Sequence, residues 1–314
     1  MLKDTNKVAL VVIFCIPILW GLGFVVTHNA VGSIHAGVYA FLRTLVTFLV
    51  LLPFTIRGIF KAGNRNRNIV TGFIFGLLIC LQILGHSHAL VTLPSATAAF
   101  IVSLNVVLVV GLSLLIQGKR PNTLDITAIV LGLVGAYFIL NPSMQPLTIG
   151  YAWAGLAALA IALMILLIGH ISALGLERDS QHLHQDQQQN RRRDQQQFIF
   201  FQSLFCMLLL SYYPLNFSIP DFTQVQVWLA ILYMGVFATA LTTLAQVKFQ
   251  SVVGNTRAAL IFNLDVVFAS LFALLNGEHF TLYQAIGGVL IFAASIVHSL
   301  YQFIQKTNAK RALS

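Results

Sequence analysis

Apolar runs long enough to cross a bilayer recur along almost the whole chain, separated by short breaks rich in Gly, Pro, Asn or charge. Residues 8–27, 98–116 and 258–276 each come close to the roughly 20 apolar residues that span a hydrocarbon core about 30 Å thick. Lipid offers the backbone no hydrogen-bonding partner, so such runs predict α-helices, and their length excludes barrel strands of about ten residues. Cutting the pattern at its breaks places helices over residues 8–28, 36–57, 68–89, 95–116, 123–141, 150–172, 198–215, 224–248, 255–276 and 282–304.

Two halves of this pattern resemble each other. Ala98-Ala-Phe-Ile-Val-Ser-Leu-Asn-Val-Val107 aligns with Ala258-Ala-Leu-Ile-Phe-Asn-Leu-Asp-Val-Val267 at an offset of 160, with six of ten positions identical. Each segment leads to a Gly turn, Gly118-Lys-Arg and Gly277-Glu-His. Five helices per copy is an odd number, so the second copy enters the bilayer upside down. The expected fold is an all-α polytopic membrane protein, ten transmembrane helices as two inverted five-helix repeats, residues 1–145 and 146–314.

Charge supports that topology. Arg57, Lys61, Arg65, Arg67, Lys119, Arg120, Arg178 and Arg191 to Arg193 fall on alternate connections, as do Lys248 and Arg257, while Lys306, Lys310 and Arg311 close the chain. The other connections carry His28, His35, His86, His88, Asp221, Glu278 and His279 instead. Basic loops are retained in the cytoplasm, which places both termini there, in the inner membrane. The long hydrophilic stretch 177–197, rich in Gln and Arg, joins the halves and reads as a mobile cytoplasmic linker, with Arg191 to Arg193 at anionic headgroups.

Composition agrees: 58% of residues are hydrophobic and 9% charged, against about 25% charged in soluble domains. The formal charge of +9 is explained by retained basic loops, so no nucleic-acid partner is expected. Cys15, Cys80 and Cys206 lie in apolar runs without CxxC spacing and read as buried hydrophobes. Lys3 and Lys7 precede a run that is long and lacks a clear cleavage site, so it reads as a retained first helix. No Walker, GxSxG or HExxH pattern occurs, and neither an enzyme nor a cofactor is expected.

Several motifs, in order, carry a family resemblance: Trp20-Gly-Leu-Gly-Phe24, Phe41-Leu-Arg43, Ser95-Ala-Thr-Ala-Ala-Phe-Ile-Val-Ser-Leu-Asn105, and Leu264-Asp-Val-Val-Phe-Ala269 followed by Asn276-Gly-Glu278. Across nearly the whole chain the sequence resembles the EamA family of the drug/metabolite transporter superfamily. The resemblance implies ten helices around a central cavity and a secondary transporter, with an amino acid or related compound as first guess and export as the direction. The sequence departs from the family in two respects: Val106 and Val266 stand where relatives commonly have Pro, so the residue that would bend these two helices is absent, and the 177–197 linker is longer than the family's usual connection.

Intramembrane charges cost about 2.5 to 3.5 kcal/mol at a helix centre and point to function. Asp265, near the middle of its helix, is read as binding a cationic substrate group or a coupling proton. Arg43, about one-third of the way along helix two, either binds a charged group or fixes packing through a carbonyl, packing being the simpler reading. Asn105 is the repeat equivalent of Asp265, and the two are expected to face each other across the pseudo-twofold axis. Trp20 is either a platform for an apolar part of the substrate or a packing residue. Trp153 and Trp228 read as interfacial belt residues. Gln82, Gln246 and His170 are polar intrusions, each a cavity or a helix-contact residue. His86 and His88, two apart on a helix, point away from each other and cannot share a metal. Expected partners are a small-molecule substrate, a proton and membrane lipids; a scaffold or sensor signalling through the linker is the alternative.

Overall fold

The computed structural model describes residues 2–59, 65–117, 123–140, 148–171, 185–221, 223–279 and 281–312. Every regular element among them is helical. In chain order these are α1 (Leu2–Val31), α2 (Ala36–Ile59), α3 (Arg65–Thr92), α4 (Ser95–Ser103), α5 (Asn105–Gln117), α6 (Thr123–Leu140) and α7 (Ile149–Ile171). The second half contains α8 (Gln185–Leu210), α9 (Tyr212–Asn216), α10 (Val225–Leu232), a π-helical segment (Tyr233–Leu241), α11 (Thr242–Val253), α12 (Asn255–Phe262), α13 (Asp265–Leu275) and α14 (Leu282–Ala312). Eight helical stretches are long and apolar enough to cross a membrane, and two apolar helices, Asp265–Leu275 and Leu282–Val297, are shorter. Large apolar side chains such as Leu115, Leu133, Tyr137 and Leu275 stay exposed on the outside of the bundle, the surface that lipid requires.

Small residues set the packing, as they do where no hydrophobic force drives helices together. The α6–α14 crossing is reciprocal: a Cβ on Gly135 would lie 2.7 Å from the Gly287 carbonyl oxygen, and one on Gly287 2.6 Å from that of Gly135. The α1–α13 crossing is equally close, since a Cβ on Gly21 would lie 2.6 Å from Phe268 Cβ and 2.9 Å from the Asp265 carbonyl oxygen.

Three local features differ from the sequence expectation. The run 95–116 is two helices that meet at Leu104, and the run 255–276 is two that meet at Asn263 and Leu264. At each break the leucine N–H bonds the carbonyl three residues back: Leu104 to Ile101 at 3.1 Å and Leu264 to Ile261 at 3.0 Å. The breaks therefore fall at repeat-equivalent positions although neither contains Pro. In the first, Ser103 Oγ donates to the Phe100 carbonyl at 2.7 Å and Asn105 Nδ2 to that of Val102 at 2.9 Å. Short polar side chains here compete with the helix for its own backbone and replace the expected proline.

Second, the run 224–248 contains a widened stretch of nine residues, the π segment. Thr239 Oγ1 donates to the Met234 carbonyl, five residues back, at 2.7 Å. Third, the polar stretch 177–197 is helical from Gln185 onward, while residues 172–184 lie outside the described set. Gln and Arg are good helix formers, and this end of α8 is fastened laterally. Asn68 Nδ2 donates to Gln197 Oε1 at 2.8 Å, Gln196 Nε2 to the Phe54 carbonyl at 2.9 Å, and Arg67 pairs with Asp194 at 3.8 Å.

Candidate functional site

Arg43 is the only charged side chain among the described buried residues, with 6% of its surface exposed. It lies on α2 one helical turn after Tyr39, on the same face. Its Nη2 donates to Thr239 Oγ1 of the π segment at 3.3 Å, whereas Nε and Nη1 are buried without an acceptor. No carboxylate pairs with it among the described residues. The backbone carbonyl partner that a packing role calls for is therefore not what the structure gives it.

Three other elements, α1, α3 and the π segment, gather around this stretch of α2. From α1 comes Thr27, whose hydroxyl lies 3.2 Å from that of the fully buried Tyr39. From α3 comes His86, packed edge-on at 4.5 Å against Phe24 of α1, with its Nε2 also buried and unpartnered. Tyr39 and His86 are both close enough to interact electrostatically with Arg43. The π segment supplies Thr239 and holds α2 closely: Thr47 Oγ1 donates to both the Arg43 and the Gly235 carbonyls, at 2.9 and 3.0 Å. A π bulge presents carbonyls out of register with the α-helical pattern, which is why such turns recur at functional sites.

Trp20 connects this cluster to the broken helix of the second half. Its indole N–H donates to the Ala238 carbonyl at 2.9 Å, one residue before Thr239, and its ring packs against Phe262 at 5.3 Å. The adjoining Gly21 lets α1 rest on the backbone of Asp265. Asp265 is the first residue of α13, where the positive end of the helix favours a carboxylate. It is half-buried and forms no ion pair among the described residues. Asn105 opens α5, and its amide N–H donates back across the break to the Val102 carbonyl of α4.

Gln82 in α3 and Gln246 in α11 are half-buried. His170 belongs to the last turn of α7, and its side chain lies outside the described residues. The helix expected over residues 68–89 continues to Thr92 because nothing before Pro94 stops it, so His86 and His88 lie within its last turns. They do point to different neighbours. His88 stacks on Trp153 of α7 at 4.7 Å, with His35 at 5.8 Å and Tyr213 at 6.3 Å. His35 in turn stacks on Phe217 at 3.8 Å. Trp153 thus belongs to an aromatic cluster with His88, His35, Tyr213 and Phe217. No group of His, Cys, Asp or Glu among the described residues has metal-binding geometry.

At the same end of the bundle, Glu278 closes the gap between halves. Its carboxylate accepts from the backbone N–H groups of Ser95 at 3.1 Å and Ala96 at 3.5 Å, at the start of α4. Asn29 and Asn276 exchange amide hydrogen bonds at 3.1 and 3.4 Å beside it. The motif residues Ser95 and Glu278, 183 apart in sequence, are thereby in direct contact.

The sequence pattern of the EamA-like transporter family matches residues 7–141 and 187–300. An uncharacterized transporter of Archaeoglobus fulgidus is 28% identical over 287 residues, covering 91% of this chain and 83% of that protein. A second uncharacterized transporter of the same organism is 26% identical over 258 residues, covering 82% and 84%. One solved crystal structure shares the fold at 18% identity, with a TM-score of 0.59 over 94% of this chain and 98% of that one. With its multiple apolar helices and a family match over most of its length, this multi-pass membrane protein belongs to the EamA-like transporter family.

Proposed function

We propose that the protein is a secondary transporter of the cytoplasmic membrane that moves a small polar metabolite, an amino acid or related compound, outward by alternating access. The observation that carries this reading is the pair of helix breaks at Leu104 and Leu264, each beside a polar residue and separated by the 160-residue repeat offset. Two copies of one five-helix unit, inserted in opposite directions, can exchange conformations and so open a shared interior to either side in turn. The two separate stretches of family match, and the reciprocal glycine crossing of α6 and α14, support such a duplication. Within the interior Asp265 binds a cationic group or a proton, Asn105 hydrogen-bonds the ligand through its unengaged amide oxygen, and the Trp20 ring shapes the apolar side. Both termini face the cytoplasm, by the sorting of Lys and Arg among connections.

Reconstituted protein and a panel of radiolabelled amino acids, amines, sugars and nucleobases test the reading. A carrier accumulates label transiently when the vesicles are preloaded with the same unlabelled solute, because the unlabelled pool competes with entered label for the outward step. Saturable counterflow for at least one solute is expected. Flux without saturation or counterflow across the panel would remove the carrier mechanism.

A further inference from the structure

We propose that Arg43 is the subsite for the carboxylate of the transported solute, which restricts the substrate class to small monocarboxylates, including zwitterionic amino acids. The proposal deepens the carrier reading and rests on it.

The argument begins with what a buried guanidinium needs. Arg presents five N–H donors in a plane and remains charged, so it is settled in a membrane interior by several acceptors or by an anion. Here one contact, a 3.3 Å bond to a neutral hydroxyl, is all the described chain supplies, while Nε and Nη1 find no acceptor. A purely structural arginine has its donors committed to carbonyls, and no carbonyl accepts from the Arg43 guanidinium among the described residues. The missing partner is therefore an anion from outside the chain, and a carboxylate offers the oxygen pair that a guanidinium plane matches.

The surroundings set the charge and size of that anion. The groups that interact with Arg43 are the hydroxyls of Tyr39 and Thr239, the Cys206 thiol and the His86 imidazole, with Thr27 behind Tyr39, and none of them adds a fixed positive charge. One cation balances a monoanion; a phosphate monoester would leave a second negative charge uncompensated in a low-dielectric interior. His86 Nε2, buried and unpartnered, is a further polar atom toward the same space. The same stretch of α1 touches both regions, since Trp20 donates to the Ala238 carbonyl beside Thr239 and Gly21 rests on the Asp265 backbone, and Asp265 is the carboxylate that an ammonium group on the same solute would pair with.

The test compares each acid with its uncharged and decarboxylated relatives on the intact protein. Leucine, leucinamide and isoamylamine, and phenylalanine, phenylalaninamide and phenethylamine, are titrated against thermal unfolding of the purified chain, with 3-phenylpropanoate and phosphoethanolamine alongside. Stabilisation by acids but not by their amides is expected. Arg43→Gln should raise the half-maximal acid concentration by about ten- to a hundredfold, with Arg43→Lys recovering part of it. If Arg43→Gln does not fold, the acid-to-amide comparison on the unaltered chain still decides. Amides or amines acting as well as acids, a response to phosphoethanolamine alone, or no response to any acid would overturn the assignment. Counterflow of an uncharged solute in the vesicle assay would then leave the carrier reading intact, so the two failures are distinguishable.

Discussion

Asp265 and Arg43 are charges set into apolar helices, and each needs a reason to be there. For Asp265 the reason lies partly in the backbone: at the first position of α13 its carboxylate meets the positive end of a helix, an interaction of about 0.3 to 1 kcal/mol. That leaves most of the cost of an intramembrane charge, about 2.5 to 3.5 kcal/mol, uncovered. If the balance is met by a transported proton, flux driven by an imposed pH gradient falls to the undriven level in Asp265→Asn. Equal gradient dependence in variant and unaltered protein would exclude this role. Both charges are legible in the sequence, because a charge within a long apolar run is conspicuous. Tyr39, Thr27 and Thr239 are not, because neutral polar residues are ordinary in membrane helices and only their gathering around the Arg43 stretch of α2 sets these three apart. His86 is legible as a helix residue, since it falls within the run 68–89, but its place beside Arg43 is not, because a histidine near a helix end reads equally well as a solvent-facing group.

At the scale of elements, hydropathy locates the helices well, since length and apolar content follow directly from bilayer thickness. It does not locate their interruptions. Proline is the one breaker that can be recognised from residue type alone, and here Ser103 and Asn105 do that work by bonding the Phe100 and Val102 carbonyls. The π segment is likewise invisible, because its residues Tyr233–Leu241 have the composition of any buried helix. Close approach of α1 and α13 yields a direct prediction. Gly21→Leu places side-chain atoms where Phe268 and the Asp265 carbonyl already sit, and overpacking of this kind costs about 1 to 3 kcal/mol. Unfolding at lower temperature with loss of counterflow is expected. Gly155→Ala, in α7 with no atom within 4 Å of its added Cβ, should be neutral or slightly stabilising. Equal behaviour of the two variants in a thermal melt would contradict the packing described.

For the whole molecule, the charge sorting and the repeat offset together suggested which connections share an end of the bundle. The contact of Glu278 with the start of α4 agrees for residues 95 and 278, whereas residue 119, needed for the corresponding comparison at the opposite end, lies outside the described residues. Glu278 holds two backbone amides of α4 and so ties the two halves together at one end. Glu278→Gln keeps the shape but loses the charge-assisted bonds, worth about 1.5 to 3 kcal/mol where they are shielded from water. In a chain with Cys15, Cys80 and Cys206 replaced and a single cysteine reporter introduced as Ser95→Cys, maleimide labelling should become several-fold faster in the Glu278→Gln background. An unchanged labelling rate would show that this contact does not restrain the end of the bundle.

The same clasp limits where the bundle can part. Drawing α4 away from the 276–279 turn strips two amides and an acid of their mutual partners, and hydrocarbon has nothing to give them in exchange. Only water, or a polar cargo on its way past, can take up those bonds. Parting the two elements toward lipid is therefore costlier than parting them toward water, and the clasp biases any separation at this end to the wetted side.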